Sequence, residues 1–290
     1  MAAGKFKIAL IQLTVGKDKN ANLHKAESLI REAAENNARV ISLPECFNSP
    51  YDTGCFPDYA ETIPGGITSD CLSKLARECR IYLIGGSIPE KDGDNFYNTC
   101  AVFGPQGDFL GKYRKMHLFD IDIPGKIKFK ESVTLTGGSE LFTFDTEWCK
   151  IGIGICRDIR FPELASLYAQ KGCKLICYPA AFSMITGPPD WEVLIRAIAL
   201  QNQLYVTAIS PARDDSPGAC YTAYGHSMIS NPGGDVIAST KEKESIVYGE
   251  VDLKRLDEIR EGLPLMIQKR YDVYSPVKVI TAGVCKVCHN

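Results

Sequence analysis

The sequence predicts an α/β fold with two mixed sheets, and three observations carry that reading. Apolar segments of strand length alternate with amphipathic helical segments, with no linker-like stretch between them. Two pairs of strands are joined by tight turns, so antiparallel hairpins stand beside helical crossovers and the sheets must be mixed. The strands are also too many for one sheet of ordinary size.

Residues 5–13 read as a strand, nearly continuous in apolar residues from position 8 onward. Leu23, Ala26, Leu29, Ile30, Ala33 and Ala34 then fall on one helical face. Residues 39–43 form the next strand, with Glu45 just past its carboxyl end. A helix follows over residues 68–79, with Leu72, Leu75, Ala76 and Cys79 on one stripe, and a strand over 81–87. The first hairpin pairs residues 99–103 with 108–113 through Gly104-Pro105-Gln106-Gly107. Residues 151–156 read as an apolar strand and 165–172 as a helix closed by Gly172. Strands at 174–178 and 204–210 flank a helix over 190–202. The second hairpin joins 226–230 to 235–239 through Asn231-Pro232-Gly233-Gly234, which hints at a weakly repeated architecture in which each half pairs a sheet with helices. Residues 1–276 are read as one domain and 277–290 as a loose C-terminal tail.

The charge balance narrows the function classes. The 33 basic and 35 acidic side chains give a formal charge of -2 and are interspersed, so nucleic acid is not an expected partner. No apolar run approaches the ~20 residues of a membrane helix, and the N-terminal apolar run is too short for a signal peptide. Most of the 12 cysteines lie inside apolar segments, as Cys79, Cys100, Cys173 and Cys177 do. They read as buried free thiols in a reducing compartment, the cytosol, with a mitochondrial pool left open. Cys285-Lys286-Val287-Cys288-His289 has haem-attachment spacing without supporting context. Gly152-Ile153-Gly154 lacks the third glycine of a dinucleotide site, and no metal set has credible spacing. No cofactor is expected.

Three segments carry chemistry. Cys156 stands where the strand gives way to Arg157-Asp158-Ile159-Arg160-Phe161-Pro162-Glu163-Leu164, so its sulfur is presented near helix amides that favour an anion. Leu43-Pro44-Glu45-Cys46-Phe47-Asn48-Ser49-Pro50-Tyr51 ends another strand with a carboxylate. Tyr113-Arg114-Lys115-Met116-His117-Leu118-Phe119-Asp120 offers an ammonium. Together they resemble the Glu–Lys–Cys triad of the nitrilase superfamily, which hydrolyses carbon–nitrogen bonds. Residues 46–51, 115–124 and Ser210-Pro211-Ala212-Arg213-Asp214-Asp215 resemble its ω-amidase branch, and the likeness spans residues 5–275.

The resemblance implies a four-layer α-β-β-α sandwich, and a homodimer paired through a helix near the nucleophile. It implies Cys156 as nucleophile, Glu45 as general base and acid, and Lys115 with the backbone N–H of Arg157 as oxyanion donors. Glu131 matches a second glutamate that orients the lysine, although an exposed glutamate in a basic loop is the plainer reading. The implied substrates are the terminal amides of short α-keto acids, such as α-ketoglutaramate and α-ketosuccinamate, with water as the second reactant. Their carboxylate calls for a cation. Arg160 and Arg213 are candidates, each also readable as a structural ion pair. Tyr51, Phe129 and Phe182 are candidate pocket walls or ordinary core.

Two departures from the family pattern stand out. Arg157 replaces an aromatic residue after the nucleophile, and Ile198 and Gln201 replace an arginine and an acid on one helix. Two other functions compete: hydrolysis of a different amide (deaminated glutathione-like, or a carbamoyl-amine), and a catalytically silent scaffold of the same fold.

Overall fold

Strand β1 (Lys5–Gln12) sends alternate side chains into two different cores. Phe6, Ile8 and Leu10 enter one, and Ala9 and Ile11 enter the other. A strand apolar on both faces must lie between two layers, and that is its position in the computed structural model, which describes residues 4–125, 127–216 and 221–274.

After β1 come α1 (Lys19–Glu35), β2 (Val40–Ser42), α2 (Phe56–Tyr59), α3 (Ile67–Cys79) and β3 (Tyr82–Ile84). Then follow β4 (Ile88–Asp92), β5 (Asn95–Phe103), β6 (Phe109–Arg114) and a small hairpin, β7 (Asp120–Ile123) with β8 (Ile127–Lys130). The second half runs β9 (Thr143–Asp145), β10 (Lys150–Ile153), α4 (Pro162–Gln170), β11 (Cys173–Pro179), α5 (Gly187–Asn202) and β12 (Tyr205–Ile209). It closes with β13 (Met228–Ser230), β14 (Val236–Ser239), β15 (Ser245–Asp252), α6 (Leu253–Gly262), α7 (Leu265–Gln268) and α8 (Tyr271–Tyr274).

The first sheet has the order β15-β1-β2-β3-β5-β4, with β6 also on β5. The second has the order β14-β13-β12-β11-β10-β9. Both are mixed: β1, β2 and β3 are parallel, as are β10, β11 and β12, and the flanking strands are antiparallel. β15 returns from the second half to pair with β1 along its whole length, from Lys5↔Asp252 to Gln12↔Ser245. Leu23, Ala26 and Ile30 of α1 and Leu72, Leu75 and Ala76 of α3 cover one face of the first sheet. Its other face joins the second sheet, with Leu164 and Tyr168 of α4 and Trp191 and Ile195 of α5 in the same core. The layers are therefore α-β-β-α.

Among the boundaries that differ from the sequence reading, those beside Glu45 and Cys156 shape the site. Residues 81–87 are not one strand: β3 ends at Ile84, and the chain turns through Gly86 at φ +60 before restarting as β4. A side chain on Gly86 would collide with the Pro44 carbonyl, so this turn packs directly beneath the segment that carries Glu45. β10 stops at Ile153 rather than at Cys156, although the Gly154 N–H still donates to the Cys177 carbonyl at 3.1 Å, and Gly154 lies against the Tyr178 ring where no side chain would fit. Cys156 then opens a 3₁₀ turn (Cys156–Arg160), and the helix starts at Pro162 rather than at residue 165. The tail 277–290, with Cys285, Cys288 and His289, lies outside the described residues.

Candidate active site

Four buried side chains from both halves meet where the sheets' strands end. Glu45 lies just past β2, in a bend held by Ser87. The Ser87 N–H donates to the Pro44 carbonyl at 3.1 Å, and Ser87 Oγ accepts from the Cys46 N–H at 3.1 Å. Lys115 directly follows β6; its N–H donates to the Asn98 carbonyl and its carbonyl accepts from the Gly138 N–H, each at 2.8 Å. Glu131 opens a 3₁₀ turn (Glu131–Val133) after β8. Cys156 has φ +48, a left-handed conformation unusual for a side chain of this kind. The Arg157 N–H belongs to the opening amides of that turn, which have no partner within it.

The distances are short and the site is dry. Lys115 Nζ lies 2.8 Å from Glu45 Oε1 and 2.9 Å from Glu131 Oε2. Glu131 also accepts from the Tyr51 hydroxyl at 2.7 Å and from the Phe119 N–H at 2.6 Å. Asn98 Nδ2 donates to Glu45 Oε1 at 2.8 Å, while Glu45 Oε2 is buried without a hydrogen-bond partner among the described residues. Lys115, Glu131 and Glu45 are 0 %, 0 % and 1 % exposed, and Cys156 is 4 % exposed. The plainer reading of Glu131 as an exposed loop carboxylate is thereby excluded.

Burial dominates the proton affinities. It raises the Glu45 carboxyl, against the pull of Lys115 and with the push of Glu131. Burial opposes the Lys115 charge, but Glu131 and Glu45 outweigh it and hold the ammonium well above its usual value. The Cys156 thiol is pushed well above its ordinary value, first by burial and then by the Glu45 carboxylate. Lys115 and the Ala181 backbone pull the thiol the other way and do not prevail. The thiolate-favouring turn expected from sequence is thus overruled by burial and a neighbouring carboxylate.

Two hollows flank the thiol. A cavity of about 160 Å³ has Glu45, Cys46, Ser49, Tyr51 and Tyr221 in its wall. A narrow cleft of about 10 Å³ has Phe119, Cys156, Arg157, Arg160, Phe182 and Thr186. Arg160 lies 2.7 Å from Asp190 and over the Phe182 ring, so it is both ion-paired and in the cleft. Arg213 lies beside the larger hollow, lined by Ala212 and Asp214, but its guanidinium donates to the Tyr224 carbonyl at 2.9 Å and lines neither hollow. Phe129 stacks on Tyr51 with centroids 5.5 Å apart and thus backs the wall rather than forming it. Arg157 turns its guanidinium over Phe119 and donates to the Asp120 carbonyl at 2.8 Å. Ile198 is buried in the core and Gln201 is exposed, so the missing ion pair leaves no buried charge behind.

The sequence reading did not single out Asn98 or Asp158. Asn98 carries no local signal, being a polar residue inside a strand. Asp158, fully buried two residues after Cys156, was visible only as one of many acids. Among the described residues, no group of three or more His, Cys, Asp or Glu side chains is placed to hold a metal ion. No helix there is long and apolar enough to cross a membrane.

Known proteins resemble this chain in sequence and in fold. A profile described as carbon-nitrogen hydrolase matches residues 7–261. The chain is 57% identical over 270 residues to omega-amidase NIT2 of Homo sapiens, covering 93% of this chain and 97% of that protein. The crystal structure of Saccharomyces cerevisiae Nit3, a member of branch 10 of the nitrilase superfamily, superposes with a TM-score of 0.85 at 41% identity, covering 92% of this chain and 97% of that one. The C. elegans NitFhit protein gives a TM-score of 0.82 at 32% identity, covering 94% of this chain and 67% of its own.

Proposed function

Because this chain belongs to the carbon–nitrogen hydrolase family, in the ω-amidase branch of the nitrilase superfamily, and is an amide-hydrolysing enzyme, we propose that it cleaves the terminal amide of short α-keto dicarboxylic monoamides. α-Ketoglutaramate and α-ketosuccinamate are the proposed substrates, and the reaction runs through a thioester on Cys156. The observation that carries this reading is the buried Lys115 ammonium, 2.8 Å from one carboxylate and 2.9 Å from another, in the site that holds the thiol.

The mechanism follows from the charges. Cys156 rests as a thiol, so its proton must leave as the sulfur attacks. Glu45 is the base, and its unpartnered Oε2 is the free acceptor. The carbonyl oxygen becomes negative in the tetrahedral intermediate, and Lys115 with the Arg157 N–H meets that charge in a water-poor site. Glu131 acts differently, keeping Lys115 charged and aimed after Glu45 has been protonated. Glu45 then gives its proton to the leaving nitrogen and ammonia departs. A water deprotonated by Glu45 attacks the thioester, the C–S bond breaks to release the acid, and Glu45 returns the proton to the Cys156 sulfur. Arg160 meets the substrate carboxylate, and Phe182 and Thr186 line the acyl chain.

The same reading makes the protein a cytosolic homodimer. Leu167 of α4 and Val193 and Leu200 of α5 are 44%, 66% and 51% exposed on the outer helical layer, the face proposed to pair. The nine cysteines among the described residues are free, in keeping with a reducing compartment. Sedimentation at twice the 31.9 kDa chain mass would support the dimer, and the chain mass alone would refute it.

The decisive experiment is ammonia release from α-ketoglutaramate by the wild-type protein beside Cys156→Ala. Release that vanishes in the variant supports both substrate class and nucleophile. Release that persists removes Cys156 from the mechanism, and none from folded wild type removes the substrate.

A further inference from the structure

Lys115 and Cys156 come from opposite halves of the molecule, Lys115 after β6 of the first sheet and Cys156 after β10 of the second. Besides Glu45, a second buried carboxylate joins the segments that carry them. Asp158 Oδ2 accepts from the Ile155 N–H at 2.8 Å and from the Tyr113 hydroxyl at 2.8 Å. Its Oδ1 accepts from the His117 N–H at 3.0 Å and lies 2.7 Å from His117 Nδ1, which must carry a proton to donate. The partners are not scattered. Ile155 immediately precedes the nucleophile, while Tyr113 and His117 stand two residues before and two after Lys115. His117 is fixed in turn by stacking on Phe161, with ring centroids 3.6 Å apart.

We propose that Asp158 is a positioning residue for amide hydrolysis, tying the nucleophile turn to the strand end that carries the oxyanion lysine. This rests on the reading of Cys156 and Lys115 given above. Cys156 sits at φ +48, a conformation that the surrounding structure must hold in place. The Ile155 N–H bond is the anchor at the start of that turn. Four hydrogen bonds need two acceptor oxygens, and a carboxylate supplies both, whereas an amide supplies one. Asp158→Asn therefore points an NH₂ either at the Ile155 and Tyr113 donors or at the two His117 donors, breaking the tie at one end or the other. Arg160, at the far end of the same turn, has a second hold from outside it, the ion pair with Asp190 on α5.

The test measures α-ketoglutaramate hydrolysis by Asp158→Asn, with iodoacetamide labelling of Cys156 followed by peptide mass spectrometry. A displacement of about 1 Å costs about 100-fold in rate. The expected result is a fall of that order in kcat, a matching slowing of labelling at Cys156, and KM within about threefold of wild type. A folded variant with wild-type kcat and labelling would overturn the proposal. Should Asp158→Asn fail to fold, Tyr113→Phe with His117→Ala removes the lysine-side bonds from side chains while leaving the Ile155 anchor. That double variant is expected to lose at least about tenfold in kcat at unchanged KM, and wild-type kcat there overturns the proposal too. Cys156→Ala in the same assay separates the two readings. If it stays active, the nucleophile assignment has failed; if it is dead while the Asp158 variant is normal, only the tie has failed.

Discussion

Glu131 Oε2 lies 2.9 Å from Lys115 Nζ, with neither side chain exposed to solvent. A buried ion pair is a poor way to stabilise a fold, because the desolvation of both charges rivals their attraction. It is a good way to keep an ammonium charged in a dry place. Glu45 shares the same ammonium at 2.8 Å, so Lys115 is bound between two carboxylates with different duties. Glu45 has one oxygen without a partner and is free to exchange protons. Glu131 has both oxygens engaged by Lys115, Tyr51 and Phe119, and it stays put.

Replacing Glu131 by Gln should therefore damage catalysis more than binding. When Glu45 takes the thiol proton, the variant leaves Lys115 without any carboxylate partner. We expect kcat to fall about 10²-fold, the scale of losing an oxyanion donor, with KM little changed. Lys115→Met should fall further and should also lower stability by about 3–5 kcal/mol, since it strands two buried carboxylates. Steady-state kinetics and thermal melts check both, and wild-type kcat in Glu131→Gln would leave Glu131 with no catalytic role.

The pH profile should bear the mark of burial. Glu45 must be ionised to act as base, and its carboxyl titrates above the ordinary value of 4.5, so the acid limb of kcat/KM should lie above that value. Stability has the opposite sign at the lysine. Lys115 binds its proton more tightly folded than unfolded, so its contribution is full below the unfolded value of 10.5 and is lost as pH rises through the higher folded value. Wild type should thus lose stability relative to Lys115→Met only above about pH 10.5. Denaturant titrations from pH 7 to 11.5 would show it; a gap that narrows already at pH 8 contradicts the assignment.

Both hairpins were legible in the sequence from local pattern, whereas the four layers and the residues proposed for the triad came from the family resemblance. The nearly continuous apolar run of β1 and the proline-glycine turns between strands are short-range signals. What was not legible depends on packing between distant segments. Gly86 looked like a strand residue until the Pro44 carbonyl was found against it. The raised Cys156 thiol could not be read from its neighbours, since the cause is complete burial beside Glu45. Asp158 gained meaning only when Tyr113 and His117, some 40 residues away, were seen to donate to it. Arg160 and Arg213 looked equivalent in sequence, and only the cleft separates them.

That separation gives a paired prediction. Arg160→Gln removes a cation from the cleft beside Cys156, so KM for an α-keto acid amide should rise about 10–100-fold, the scale of a charge-assisted hydrogen bond. Arg213→Gln should leave KM near wild type and lower the melting temperature instead, because its guanidinium serves the Tyr224 carbonyl. Equal KM effects in the two variants would mean that the cleft is not the carboxylate site.

Arg157 offers the sharpest check on where the oxyanion donor resides. Its guanidinium sits over Phe119 and donates to the Asp120 carbonyl, at the cleft that also holds Cys156, and its N–H belongs to the nucleophile turn. Arg157→Tyr restores an aromatic side chain and leaves that N–H in place. If the donor is the backbone, kcat should stay within about threefold, because the transition-state contact is unchanged. A loss of about 10²-fold would instead assign the stabilisation to the guanidinium, which would then have to leave the Asp120 carbonyl on substrate binding. Kinetics of Arg157→Tyr beside Arg157→Gln distinguish the two, since an aromatic requirement would spare the first and not the second.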